Sequence, residues 1–217
     1  MRSAAMVLVA LLSGASMPAA AEPQRFRLDP QRSFVHFEVL HFGTSTIHGR
    51  FGPVTGEVTL DRAKLQGEVG LRIATASVST GFKFFDSRLR QADLLASEEH
   101  PEAFFVARHF RYGSAPGEPE LAEVRGEFTF RGVSLPLSLH ALRFGCRPAG
   151  ATRPGAAAPA AVVGASASAA LLAPNPREVC GGDFEAELRR ADFGATFGLP
   201  LVGDRVRLRI QVEGERL

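Results

Sequence analysis

The stretch Val124 to Leu139, VRGEFTFRGVSLPLSL, leaves this chain little choice of architecture. Val124, Gly126, Phe128 and Phe130 alternate with Arg125, Glu127, Thr129 and Arg131, so a strand here has one apolar and one polar face. After a turn at Arg131-Gly132 the alternation resumes, with Val133, Leu135, Leu137 and Leu139 set against Ser134, Pro136, Ser138 and His140. An antiparallel pair with one oily and one wet face belongs to a sheet that curls over a single core or cavity. Pro136 has no N–H to give to a ladder, which places it at an edge or a bulge.

The same alternation recurs along the chain. Ser33 to Phe42 sets Val35, Phe37, Val39 and His41 against Phe34, His36, Glu38 and Leu40. A turn region at Gly49-Arg50-Phe51-Gly52 leads to a strand over Gly56 to Asp61, and further strands are expected over Gly67 to Ala76 and Ala103 to Phe110. Phe184, Ala186 and Leu188 alternate again, and Val206, Leu208, Ile210 and Val212 back onto Arg205, Arg207, Arg209, Gln211 and Glu213 after a turn at Gly203-Asp204. Short strands at hairpin spacing read as a meander and not as βαβ units. One stretch differs: near residues 82–97, Phe82, Phe85, Leu89 and Leu95 recur at spacings near three and four, which predicts one or two short helices ending before His100-Pro101. Such a segment either lids an open barrel end or simply covers the core.

Composition bounds the function. The chain of 217 residues is 45% hydrophobic and 22% charged, enough for one domain with a sizeable core. A formal charge of +2, with no basic run interleaved with aromatics, argues against nucleic acid as a partner. Seventeen Phe against one Tyr and no Trp suit a dry interior, because Phe has no polar tip to satisfy. Arg2, the apolar run Ala4 to Leu12 and Ala19-Ala20-Ala21 read as a secretory signal peptide over residues 1–21, so the mature domain is expected to span 22–217 and to lie in the periplasm. Pro148 to Pro176 is almost wholly Ala, Pro, Gly, Ser and Val, which reads as a flexible insertion (148–176) and not a membrane span.

Catalytic signatures are missing: the chain has no G-x-S-x-G, G-x-G-x-x-G, H-E-x-x-H, P-loop or C-x-x-C motif. Asp192-Phe193-Gly194 matches a kinase tripeptide only superficially. His36 and His41 fall on opposite faces of one strand, and His48 could approach His41 across a turn, but no ligand set is complete and no metal is expected. Cys146 and Cys180 sit at the two feet of the insertion, on strands that should be antiparallel neighbours; in an oxidising compartment that favours a disulfide.

Taken in order, several motifs carry a family resemblance. Ser33-x-Val35-x-Phe37-x-Val39-x-His41, Gly49-x-Phe51, Ser77-x-Ser79-Thr80-Gly81, His100-Pro101, Gly126-x-Phe128-Thr129-x-Arg131-Gly132-Val133-x-x-Pro136-Leu137 and Arg190-Ala191-Asp192-Phe193-Gly194 together resemble the YceI family of bacterial secreted lipid-binding proteins, from about Phe26 to Glu213. The resemblance implies an all-β fold, an extended antiparallel lipocalin-like barrel around an apolar tunnel, holding an isoprenoid or isoprenoid-quinone-like lipid without a cofactor. Val35, Phe37, Val39, Phe51, Phe128 and Phe130 would line that tunnel. So would His41, by strand parity, and Phe85 and Leu89 from the helical stretch. The family's Asp-x-His-Leu-Arg motif stands here as Asp86-Ser87-Arg88-Leu89-Arg90. Asp86, Arg88 and Arg90 either meet a polar head group at the tunnel mouth or form a surface ion-pair helix. The expected function is periplasmic binding, transport or storage of a long-chain lipid. An enzyme acting on such a lipid and a structural or stress-response envelope protein are the alternatives, and a homodimer is left open.

Overall fold

The computed structural model describes residues 22–113, 120–149 and 178–217. The expected signal peptide lies outside them, as does the expected insertion apart from Pro148 and Ala149. Ten strands form one antiparallel sheet: β1 (Gln24–Leu28), β2 (Phe34–His41), β3 (Ser45–Phe51), β4 (Val54–Asp61), β5 (Gln66–Ala74), β6 (Glu102–Gly113), β7 (Glu120–Phe130), β8 (Val133–Pro148), β9 (Glu178–Arg189) and β10 (Val202–Arg216). The long β10 closes the sheet. It pairs with β9 on one side, and on the other with β2 from Val202 to Gln211 and with β1 from Gly214 to Arg216. β1 and β2 are thus two pieces of one barrel stave and β3 and β4 two pieces of the next, which makes a closed barrel of eight antiparallel staves.

The hairpin that constrains the sequence forms in the expected register, with Val124 opposite Leu139, Gly126 opposite Leu137, Phe128 opposite Leu135 and Phe130 opposite Val133. Its turn residues Arg131 and Gly132 both have positive φ, 50° and 74°, the conformation that matches the twist of the flanking strands. Pro136 pairs with β7 only: the β8–β9 ladder starts at His140 and runs to Pro148, so among the described residues β8 has no β9 partner above His140. The missing N–H therefore faces a gap in the wall.

One expectation needs correction, and another resolves to a single helix. The segment taken as a turn around Gly49 is strand β3, and the break comes later, at Gly52-Pro53. Gly49 is there to make room, since a Cβ on it would lie 2.3 Å from Cζ of Phe37 on the paired strand. In the predicted helical stretch only α1 (Lys83–Leu89) is helical; Gln91 to Glu99 runs on in turns, with Leu95 N–H returning to the Leu89 carbonyl and Ala96 at φ 49°. The two segments that leave the barrel wall, residues 75–101 and 190–201, lie at the same end as the β7–β8 turn and together cap it.

The opposite end is filled by side chains. Phe26, Leu60 and Cys180 are buried in a separate cluster, with Val58, Phe110, Phe144 and Cys146 packed on it. Cys146 stands directly opposite Cys180, 4.0 Å apart at Cα, and the two form the expected disulfide. The bridge thus does two jobs, tying β8 to β9 and closing the base of the interior.

On the outer wall Glu123 is nearly inaccessible, at 3% side-chain exposure, under Arg111 and Arg125, whose Nε atoms donate to its two carboxylate oxygens at 2.8 and 2.9 Å. Those bonds, with one from Ser138, outweigh burial and hold its pKa down to about 2.

Two outcomes follow. Because the disulfide spans 34 positions, replacing both cysteines by alanine should cost about 2–4 kcal/mol in chemical unfolding, while exchanging residues 150–176 for a short turn should leave the unfolding midpoint unchanged; Pro148 and Glu178 are already strand partners. Equal midpoints with and without the bridge would refute the first part. For Glu123 the folded pKa lies below the ordinary 4.5, so its stabilising contribution is complete above that pH and drains away as pH falls from 4.5 toward 2. Glu123→Gln should therefore lose about 1–2 kcal/mol at neutral pH and flatten that acid limb, which urea titrations across pH would reveal.

Candidate functional site

The inward residues of the staves do not fill the capped half of the barrel. A cavity of about 170 Å³, measured as space open to the centre of a water molecule, is bounded there by side chains from β2, β3, β5, β6, β7, β8, β9 and β10 and from the cap. Val35, Phe37 and Val39 supply one wall because β2 presents every second residue inward, and Phe51 of β3 packs against Phe37 at 5.4 Å between ring centroids. Phe128 and Phe130 stack at 6.2 Å on β7, and Phe193 from the turn over Arg190–Phe193 meets both rings at 5.6 and 5.7 Å. The small side chains Ala103 and Ala195 leave room between these rings.

Of the nine residues expected to line a tunnel, the structure places seven on the wall of this cavity: Val35, Phe37, Val39, Phe51, Leu89, Phe128 and Phe130. Two lie elsewhere. His41 keeps the parity of β2 but lies past the cavity, edge-on to Phe42 at 4.4 Å. Phe85 is half-buried on α1, outside the cavity lining. His48 stands opposite Glu38 and not beside His41. The one group of potential metal ligands among the described residues, Glu178 with Cys146 and Cys180, contains the two sulfurs already joined to each other.

The three residues considered for head-group contact are spent on the cap itself. Asp86 is buried and accepts from the Thr80 N–H and hydroxyl, each at 2.7 Å. Arg88 forms a two-pronged pair with Asp93 at 2.6 and 2.7 Å, and this guanidinium keeps the Asp93 carboxyl below its usual range. Arg90 donates to the carbonyls of Ala76 and Val78. None of the three lines the cavity, and only Arg88 is in an ion pair, with Asp93 beyond the helix, so the three charges serve the cap and not a surface ion-pair row.

Two arginines to which sequence reasoning gave no site role matter more. Arg190 borders the cavity at 7% exposure, and burial lowers its pKa. Its guanidinium donates to the carbonyls of Ala195, Phe197, Val202 and Gly203 at 2.6–2.9 Å, which folds the 194–203 loop over the barrel. Arg131, in the β7–β8 turn, donates to Ala92, Leu94 and Phe193, so it binds both cap segments to the wall. The other polar group in the lining, the Thr75 hydroxyl, donates to the His100 carbonyl at 2.8 Å. What remains facing the space is hydrocarbon. A lining of this kind suits an apolar chain held by shape and dispersion, and among the described residues it carries no convergent acid, base or nucleophile.

The comparisons with known proteins agree with this geometry. A UPF0312 protein of Pseudomonas putida (strain GB-1) is 33% identical over 141 residues, 64% of this chain and 70% of its own length. Among solved structures, Burkholderia cenocepacia BcnA superposes with a TM-score of 0.59 at 16% identity, over 86% of this chain and 98% of its own. A polyisoprenoid binding domain from Saccharophagus degradans, described as implicated in plant cell wall breakdown, gives 0.58 at 19% identity over 88% and 98%. At such identities these structures speak for a shared fold. The sequence matches the YceI-like domain over residues 26–214, and the chain belongs to the YceI family.

Proposed function

We propose that the protein binds the hydrocarbon tail of a long-chain isoprenoid or a similar amphiphile in its capped apolar cavity, as a periplasmic carrier or store and without catalysis. The observation that carries this is the lining: Arg190 and Thr75 turn their donors to backbone carbonyls, and the remaining wall is aliphatic and aromatic. The polyisoprenoid-binding character of a protein with the same fold supports the choice of ligand class. Burial of each methylene is worth about 0.8 kcal/mol, so about ten carbons contribute roughly 8 kcal/mol gross, against which the costs of ordering the chain must be set. No ionic anchor is needed at that scale. Selectivity then comes from tail width and length.

Native mass spectrometry and solvent extraction of protein purified from its own host should find a long-chain apolar lipid at up to one copy per chain. Ala103→Phe fills the cavity with apolar volume, and Phe128→Asp places a charge against the tail. Each should cut the co-purifying lipid at least about tenfold, since one buried unpaired charge outweighs several methylenes. Undiminished lipid in both variants, or none with the wild-type protein, would sink the proposal.

A further inference from the structure

The capped end carries an apolar surface that the folding of the barrel does not require. Leu40 and Phe42 at the tip of the β2–β3 hairpin are 50% and 55% exposed, and Leu201 on the 194–203 loop is 58% exposed. The Phe42 N–H donates to the Leu201 carbonyl at 2.7 Å, so the two loops form one continuous patch. On the neighbouring α1 segment Phe82 and Phe84 are 63% and 77% exposed, with their rings 6.1 Å apart. Phe197 links the two regions, half exposed beneath the Arg88 guanidinium at 4.1 Å.

Three further observations say what covers this surface. Leu40 to Ile47 and Gly194 to Gly203 contain no Asp, Glu, Lys or Arg, so the tips are free of the charges that normally keep an exposed loop in water. Phe42 also sits at φ 51° in a tight turn, followed by Gly43 at 67°, a place where Asn, Asp or Gly is at home and a bulky side chain is strained. The strain brings no burial in return. On the helix beside the apolar tips Lys83 stands between Phe82 and Phe84, Arg88 is neutralised by its pair with Asp93, and Asp86 is turned inward onto Thr80. Glu98 and Glu99 belong to the turns beyond α1 that lead into β6. Exposed Phe and Leu around a lysine, on loops free of other charge, is a composition that settles into the head-group layer of a bilayer.

We propose that this face docks the protein on an anionic phospholipid surface, with Phe42, Leu201 and Phe84 seated among the head groups and Lys83 beside their phosphates. The docking deepens the lipid-binding reading above and takes its purpose from it. Val39 and Ala195 line the cavity within a few residues of the patch, so a seated molecule faces its capped end toward the source of the tail.

The test is flotation of the purified mature chain with vesicles of phosphatidylethanolamine and phosphatidylglycerol, beside vesicles of phosphatidylcholine alone. The wild-type protein should float with the anionic vesicles, more weakly with the neutral ones, and less at high salt. Phe42→Asp combined with Leu201→Asp should reduce flotation at least about tenfold while the thermal midpoint stays within a few degrees, and Lys83→Glu should reduce it severalfold. Ala103→Phe, which fills the cavity, should still float, so a failure of lipid loading is told apart from a failure of docking. Three results would overturn the proposal: no flotation of the wild-type protein, equal flotation of the double variant, or a wild-type dimer on size exclusion that the double variant splits into monomers, which would give this face to a second copy of the chain.

Discussion

The interior of this protein exists because β10 has neighbours on both sides along nearly its whole length. An open sheet of this sequence would expose two ladders of unpaired N–H and C=O groups, one along β10 and one along the neighbour it had lost, and an apolar face besides. By pairing with β2 and then β1 on its far side, β10 removes both edges and turns every second residue of eight staves toward one axis. Closure is also what lets a cavity persist. Once the backbone groups are satisfied around the ring, side chains need only line the space and need not collapse into it.

The two halves of the barrel use the closure differently. At the base, large rings and the disulfide meet across the axis. Toward the cap, alanines at 103 and 195 stand among the phenylalanines, and the lid is held by arginine side chains bonded to backbone carbonyls as well as by the packing of Val78, Leu95 and Phe193. Those guanidinium bonds fix loops that would otherwise carry unpaired carbonyls. They also consume the polar capacity of the site, which is why a cavity bordered by Arg190 reads chemically as hydrocarbon.

Much of this was legible in the sequence, for reasons that differ by residue. Strand parity depends on local order alone, and it placed Phe37, Phe128 and Phe130 correctly. The bridge followed from two cysteines at the feet of one insertion, on strands expected to be antiparallel neighbours. His41 was misplaced because parity does not say where along a strand the barrel stops. Arg88 and Asp86 were ambiguous for a related reason: a charge near a suspected mouth is free only if no partner lies within reach, and Asp93 and Thr80 lie within reach. Arg131 and Arg190 stand in motifs that carry the family resemblance, but their roles in holding the cap could not be read. Their acceptors are backbone carbonyls, which every residue owns and no sequence pattern marks.

The filled base has a consequence for traffic. On the proposed function, a vessel stopped at its base by rings and a sulfur bridge would take a long amphiphile tail first and release it head first by the capped end. Exchange would then be a matter of queueing: a resident would have to withdraw before a successor could advance, with the head group outside throughout. Such a carrier would sort its passengers by their tails and be indifferent to most of what they carry.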